Sequence, residues 1–303
     1  MSFKQLTLRA GAWKAAVSPD FGANLIGLSY ENDPILRSPT REEDLRQKDR
    51  CLYGNPLLFP PNRVKDGIFR FEGQEYRLPV NEPQRGNHLH GLFIDAPFQV
   101  MEHTETELSC IYQNRGERFP FPFTIFFYYT ISERGLLIKI NICNDGEKPM
   151  PLAMGFHTTF TEPQSFSVPL GKRWERDERL LPTGRLIGLN EREKRMTMGF
   201  CPKGSALTGY YTASGHWAEI GGFRMETSGQ FDQWVLFNGG GDQGYLCIEP
   251  QIGCVNGLNL PKGCRVVGAG QTESCWLRFL KSGLNGSHGK SRSAGEKETV
   301  GAG

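Results

Sequence analysis

The sequence predicts an all-β, antiparallel fold with few short helices, and three observations predict it. Glycine (37) and proline (19) account for 56 of 303 residues, a turn-rich composition that suits many short strands and argues against a helical bundle. The longest patterned stretches are β-branched and aromatic, with apolar residues alternating as in a half-buried strand. No βαβ rhythm and no GxxxxGK[ST] occurs, which argues against a nucleotide-binding parallel sheet.

The elements follow in order. Leu6 to Arg9 and Trp13 to Val17 flank Ala10-Gly11-Ala12, a compact hairpin. Thr40 to Gln47 carries a helix signal, a capping box of Thr40 with Glu43. Phe98 to Gln113 reads as strand, with a turn at Glu105-Thr106-Glu107. Phe123 to Ser132 (FTIFFYYTIS) has the content of a buried strand, Glu133-Arg134-Gly135 signals a hairpin turn, and Leu136 to Cys143 alternates. Gly244 to Ile248, Cys264 to Gly268 and Ser274 to Phe279 read as short strands. From Ser282 the chain turns polar and Gly/Ser-rich, so residues 1–281 are expected to form a single domain and 282–303 a disordered tail. The sequon Asn285-Gly286-Ser287 lies in that tail and is read as unused.

Charge and cysteine usage narrow the function classes. A net charge of +2 lacks the basic excess of a nucleic-acid binder. The longest uninterrupted apolar run, Ile125 to Tyr129, is too short to span a bilayer, and MSFKQLTLRAGAWK holds no apolar signal stretch. Eight cysteines include no CxxC pair, and Cys110, Cys143, Cys247 and Cys275 sit in apolar or alternating stretches as small hydrophobes. The expectation is a cytoplasmic protein with reduced thiols, with no nucleic-acid or membrane partner.

Chemistry concentrates in three stretches. Gly54 to Phe93 carries Asn62, Arg63, His88 and His90 among prolines and glycines that place polar side chains on ordered loops. In a strand, His88 and His90 would share a face, and with Glu249 they would offer a metal set for a hydrolase or cupin-like protein. Lys148 to Phe160 presents His157 among apolar neighbours, where burial lowers an imidazole pKa and a nearby carboxylate raises it. Tyr245 to Asn259 places Glu249 after an apolar run and directly before Pro250, which reads as a strand end. Partial desolvation there raises the carboxylate pKa and makes it a stronger base. His103 and His216 read as hydrogen-bonded, half-buried side chains, and Trp234 as either a sugar-stacking or a core aromatic. No GxSxG nucleophile motif competes, so a proton-transfer site is the outcome.

Together these residues resemble the aldose 1-epimerases (galactose mutarotases). GNPLLFPPNRVKDGIFRFEGQEYRLPVNE is similar to that family's Pro-rich turn, Asn-Arg, Gly-x-Phe strand and Tyr-x-Leu-Pro-x-Asn. HLHG, FPFPFTIFFYYTI, GFHTTF, LLPTGRLIGL and IEPQIGCVNGLN follow in the family's order. The resemblance implies a β-supersandwich, anomer interconversion in a free aldose, and no cofactor or metal. It makes Glu249 the general base and His157 the general acid. It gives His90 hydrogen bonds to ring or C1 oxygens, and Arg63, beside Asn62, the task of orienting sugar hydroxyls. His88 lies outside the matched positions. Three departures bear on the substrate. His157 is followed by Thr158-Thr159-Phe160 rather than Pro-Tyr-Phe, Leu92 replaces a second glycine after His90-Gly91, and Thr208 or Gly209 falls where a sugar-binding Asp is expected. The partner is a small-molecule sugar and the protein a monomer or homodimer. The alternative is a non-catalytic carbohydrate-binding protein of the same fold.

Overall fold

The computed structural model describes residues 4–47 and 49–283. The amino terminus begins with the expected hairpin, Leu6–Ala10 against Trp13–Ser18, extended by Asn24–Tyr30 and Asp33–Pro34 into a four-stranded sheet. Alternation buries Leu8, Trp13, Ala15 and Val17, and Gly11 takes the left-handed conformation that the turn requires (φ +55).

Two larger antiparallel sheets carry most of the molecule. The first is ordered Gln99–His103, Glu107–Asn114, Phe123–Ser132, Gly135–Asn144, Thr272–Lys281, Phe223–Thr227, Trp217–Ile220 and Phe166–Ser167. Its central hairpin pairs Ser132 with Gly135 across a tight turn and runs to Phe123 opposite Asn144. Period-two alternation buries Phe123, Ile125, Phe127, Tyr129 and Ile131 on one strand, and Leu136, Ile138, Ile140 and Ile142 on the next. The C-terminal strand, Thr272–Lys281, then closes on Gly135–Asn144, with Cys143 opposite Thr272.

The second large sheet is ordered Pro182–Ile187, Leu170–Arg176, Thr208–Ala213, Gln233–Phe237, Tyr245–Ile252, Met154–Phe156 and Leu57–Leu58. Thr159–Thr161 also pairs with Tyr245–Ile252. One hydrophobic cluster, with members from Leu8 to Phe279, fills the space between the sheets. Each fully buried Leu, Ile or Phe contributes about 1.5–3 kcal/mol, and Phe59, Phe93, Phe119 and Phe123 pack ring to ring within it.

Several sequence readings change here. Pro250 does not end its strand, which runs from Tyr245 to Ile252. The amide of Ile248 donates to the Thr158 carbonyl, so the donor missing from Pro250, two residues on, faces the same side. There the partner backbone is interrupted between Met154–Phe156 and Thr159–Thr161, and no ladder bond is lost. The short helix is Glu42–Arg46, and the carboxylate that caps it belongs to Asp44 rather than Glu43. Asp44 Oδ2 accepts from the Thr40 and Arg41 amides and the Thr40 hydroxyl. A second helix, Glu191–Met196, was not anticipated, although Asn190 and Glu193 form a reciprocal capping box. LLPTGRLIGL holds the strand Pro182–Ile187. The polar tail lies, from residue 284 on, outside the described residues, as do its sequon and His288. No helix among the described residues is long and apolar enough to cross a membrane.

Candidate active site

Three adjacent strands of the second sheet build the floor of a cavity of about 520 Å³. Cross-strand register sets Tyr210 opposite Val235 and Val235 opposite Glu249, with Thr208, Phe237 and Cys247 forming the next row. Leu246, Ile248 and Ile252 point into the core, so Glu249 and Gln251 project from the opposite face. His157 occupies the break between Met154–Phe156 and Thr159–Thr161, where its amide donates to the Pro56 carbonyl (3.1 Å). Its Nε2 lies 3.4 Å from Glu249 Oε1, and both side chains are almost fully buried. Gln251 Nε2 donates to the other carboxylate oxygen at 3.3 Å. The residues that depart from the family pattern also serve the site. Thr158 Oγ1 donates to Asn55 Oδ1 (2.5 Å), and Thr159 Oγ1 lies 3.5 Å from His157 Nδ1.

Burial dominates the electrostatics of this pair. It pushes the Glu249 carboxyl up to about 8, against the opposing hydrogen bond from Gln251 and the charge of Arg63. It also pulls His157 down to about 4. The carboxylate neighbour therefore does not hold His157 as an imidazolium, contrary to one of the two directions left open by the sequence. The Glu249 rise agrees in sign with expectation and is larger than a modest shift. Between those two values the pair binds one proton, which belongs to both residues.

A loop wall faces this floor. Arg63–Lys65 pairs with Asn87–Leu89, and at the end of that short ladder Asn62 (φ +52) and His90 (φ +63) both adopt left-handed backbone conformations. The His90 amide donates to the Asn62 carbonyl at 2.7 Å. These turns bring both residues to the cavity lining, in a conformation that asparagine and histidine adopt more readily than most residues. A Cβ on Gly91 would lie 2.1 Å from the Phe59 carbonyl oxygen, so the chain approaches itself closely just after His90. The His90 and His157 rings meet edge to face, with centroids 5.2 Å apart. Burial and the charges of His157 and Arg63 hold His90 well below the usual histidine range.

Arg63 reaches the cavity but is already engaged. Its Nε and Nη2 form a two-point ion pair with Glu82 (2.9 and 2.7 Å), while Nη1 donates to Tyr210 (2.8 Å) and to Asn62 Oδ1 (3.1 Å). His88 does not share a face with His90, because the left-handed turn at His90 breaks the alternation. His88 is fully buried, and its Nδ1 lies 2.7 Å from the Pro79 carbonyl. The proposed set of His88, His90 and Glu249 is therefore not assembled. Among the described residues, the metal-capable cluster with ligand atoms within 4.8 Å of one another is Cys51, His90 and His157.

The cavity also contains residues the sequence reading did not select. Glu82 stands inside the matched YRLPVNE segment, and Tyr210 directly follows Thr208-Gly209, so both lie within reach of the motif. Cys51, on the turn Arg50–Leu52, had no local signal. Thr208 lines the cavity where an Asp was sought, and its hydroxyl accepts from Arg176 (3.1 Å). Trp234 is a core residue, fully buried and donating to the Gly215 carbonyl. His103 and His216 each bond a backbone carbonyl, from exposed positions rather than half-buried ones.

Comparison with known proteins agrees with this architecture. A galactose mutarotase-like protein from Clostridium acetobutylicum superposes with a TM-score of 0.83 at 24% identity, over 90% of this chain and 94% of its own. A galactose 1-epimerase from Lactobacillus acidophilus NCFM gives 0.75 at 15% identity, over 90% and 92%. These likenesses establish the expected β-supersandwich. The uncharacterised protein YihR of Escherichia coli (strain K12) is 27% identical over 190 residues, and the match spans about 60% of each chain's length. The family profile described as Aldose 1-epimerase matches residues 4–280. On that match over almost all of the described residues, the chain belongs to the aldose 1-epimerase family.

Proposed function

We propose that the protein interconverts the α and β anomers of a free aldose by acid/base ring opening and closure. The observation that carries this reading is the facing, buried pair of His157 and Glu249, 3.4 Å apart in a cavity of small-molecule size. Mutarotation takes a proton from the anomeric hydroxyl and gives one to the ring oxygen. As O1 loses its proton, the C1–O1 bond becomes a carbonyl and the C1–O5 bond breaks, while O5 becomes a hydroxyl. Rotation about C1–C2 and the reverse steps close the ring on the other face.

A pair holding one proton has the composition this reaction needs, one acid and one base. Without sugar, burial favours the uncharged form of the pair, with the shared proton on the Glu249 side. The reactive arrangement has it on His157, which leaves Glu249 as the base and His157 as the acid. Moving the proton between them changes no net charge. Sugar hydroxyls entering the apolar floor favour the charge-separated form. Each group contributes about 10²–10⁴-fold. His90, held neutral, hydrogen-bonds the ring or C1 oxygens, and Asn62 with the remaining Nη2 hydrogen of Arg63 orients the hydroxyls. Thr208 and Arg176, in place of a carboxylate, alter the sugar preference. A cytoplasmic setting belongs to the same proposal, supported by eight unpaired thiols.

The test is anomer-exchange NMR across a panel of free and phosphorylated sugars. Exchange well above the spontaneous rate for at least one sugar is expected. Sugar binding with no acceleration makes the chain a carbohydrate-binding protein and overturns the enzymatic reading.

A further inference from the structure

We infer that Cys51, His90 and His157 form a binding site for a thiophilic divalent metal ion of the zinc class, bridging the loop wall and the floor of the cavity. The thiol and one ring nitrogen from each histidine lie within 4.8 Å of one another. A point between three atoms so placed is at most about 2.8 Å from each, and zinc takes sulfur at about 2.3 Å and imidazole nitrogen at about 2.0–2.1 Å. Side-chain movements of about half an ångström to 0.8 Å therefore complete the site.

The donor set chooses the ion. One thiolate and two imidazoles suit zinc-like ions and offer nothing to magnesium or calcium, which require oxygen ligands. All three residues line the cavity, which leaves the fourth position to water. A further observation favours a ligand here: His90 Nδ1 is buried with no hydrogen-bond partner among the described residues.

Cys51 is held in place without the metal. Its turn is anchored by the Arg50–Asp95 ion pair (3.0 Å), and Asp95 also accepts from Arg118 (2.7 Å). Burial and the carboxylates of Glu249 and Asp49 push its thiol up to about 12, so the metal must displace the thiol proton and affinity rises with pH. An ion at this site occupies both imidazoles that the sugar would use. Inhibition competitive with sugar follows, and that consequence rests on the mutarotase reading, whereas metal uptake does not.

The experiment titrates the EDTA-treated full chain with Co²⁺ and Zn²⁺. One ion per chain and a thiolate-to-cobalt charge-transfer band are expected. Cys51→Ser should lose the band and weaken Zn²⁺ binding by about tenfold or more, while Cys201→Ser, at an exposed thiol, keeps both. His90→Asn, which tolerates the left-handed backbone and retains the thiol, should weaken uptake similarly. Zn²⁺ should inhibit wild-type exchange at about tenfold lower concentration than the Cys51→Ser variant, each relative to its own metal-free rate, with EDTA restoring activity. An unchanged band in Cys51→Ser, or no stoichiometric uptake by the folded wild type, overturns the site. Uptake without turnover of any sugar supports the metal site and removes the mutarotase reading. Turnover without uptake does the reverse.

Discussion

Replacing Glu249 by Gln should abolish anomer exchange and at the same time stabilise the protein at alkaline pH. The glutamate's ordinary pKa of 4.5 rises to about 8 in the folded state. A raised folded-state value means that the folded protein binds a proton the unfolded chain has lost. The contribution of Glu249 to wild-type stability is therefore full below about 4.5 and declines as pH rises towards about 8. The slope is at most about 1.4 kcal/mol per pH unit, a ceiling of about 5 kcal/mol across the window. Relaxation and water entry reduce such penalties, so a gain of about 2 kcal/mol for the variant at pH 8 is the expected outcome. Glutamine is nearly isosteric, its carbonyl can still accept from Gln251, and its amide can donate to the neutral His157. Urea unfolding at pH 5 and pH 8, with exchange NMR on the same samples, measures both effects. The variant should lose about 10²–10⁴-fold in rate, and its stability advantage should be larger at pH 8 than at pH 5. Equal pH slopes in the two proteins would falsify the burial argument, and near-wild-type exchange would remove Glu249 from the mechanism.

Three further outcomes follow from the same geometry. The pH profile of kcat/KM should be bell-shaped, falling below about 4, where the pair gains a second proton, and above about 8, where it loses its last; a profile flat across both limits contradicts a one-proton pair. Arg63→Ala leaves the buried Glu82 with Arg85 and Asn87 as partners and should cost about 3 kcal/mol in urea unfolding. Adding Glu82→Ala should recover part of that stability without recovering exchange, and no recovery means the loss is not due to an unpaired carboxylate. Gly91→Ala forces a Cβ to 2.1 Å from the Phe59 carbonyl at φ +67 and should destabilise by about 2 kcal/mol or more, a result contradicted by unchanged unfolding curves.

Much of the site was legible because its residues lie in short motifs with strong local character, yet the reasons were not always the right ones. Glu249 reads from the sequence as a strand-end carboxylate, although its strand continues and its place in the cavity lining comes from alternation against Leu246 and Ile248. The strand was cut short because Pro250 normally breaks a ladder, and its tolerance depends on the interruption at His157, about ninety residues earlier. His90 was recognised and His88 weighed beside it, since a left-handed histidine cannot be seen in a period-two pattern. The central hairpin was read almost to the residue because its alternation is local. The pairing of Gly135–Asn144 with Thr272–Lys281 had no local signature, and neither did the approach of Cys51 to two histidines, because sequence separation hides such contacts.

The cavity joins two materials of different character. Its floor is a set of paired strands in which Tyr210, Val235 and Glu249 are fixed by register, while its opposing wall is made of turns around residues 49–52 and 81–91. Substitutions in the floor act on cross-strand rows, whereas those in the wall act on turn conformations and on the Arg63–Glu82 ion pair. Under the proposed function the wall sets which sugar is accepted, while strand register holds Glu249 in the floor.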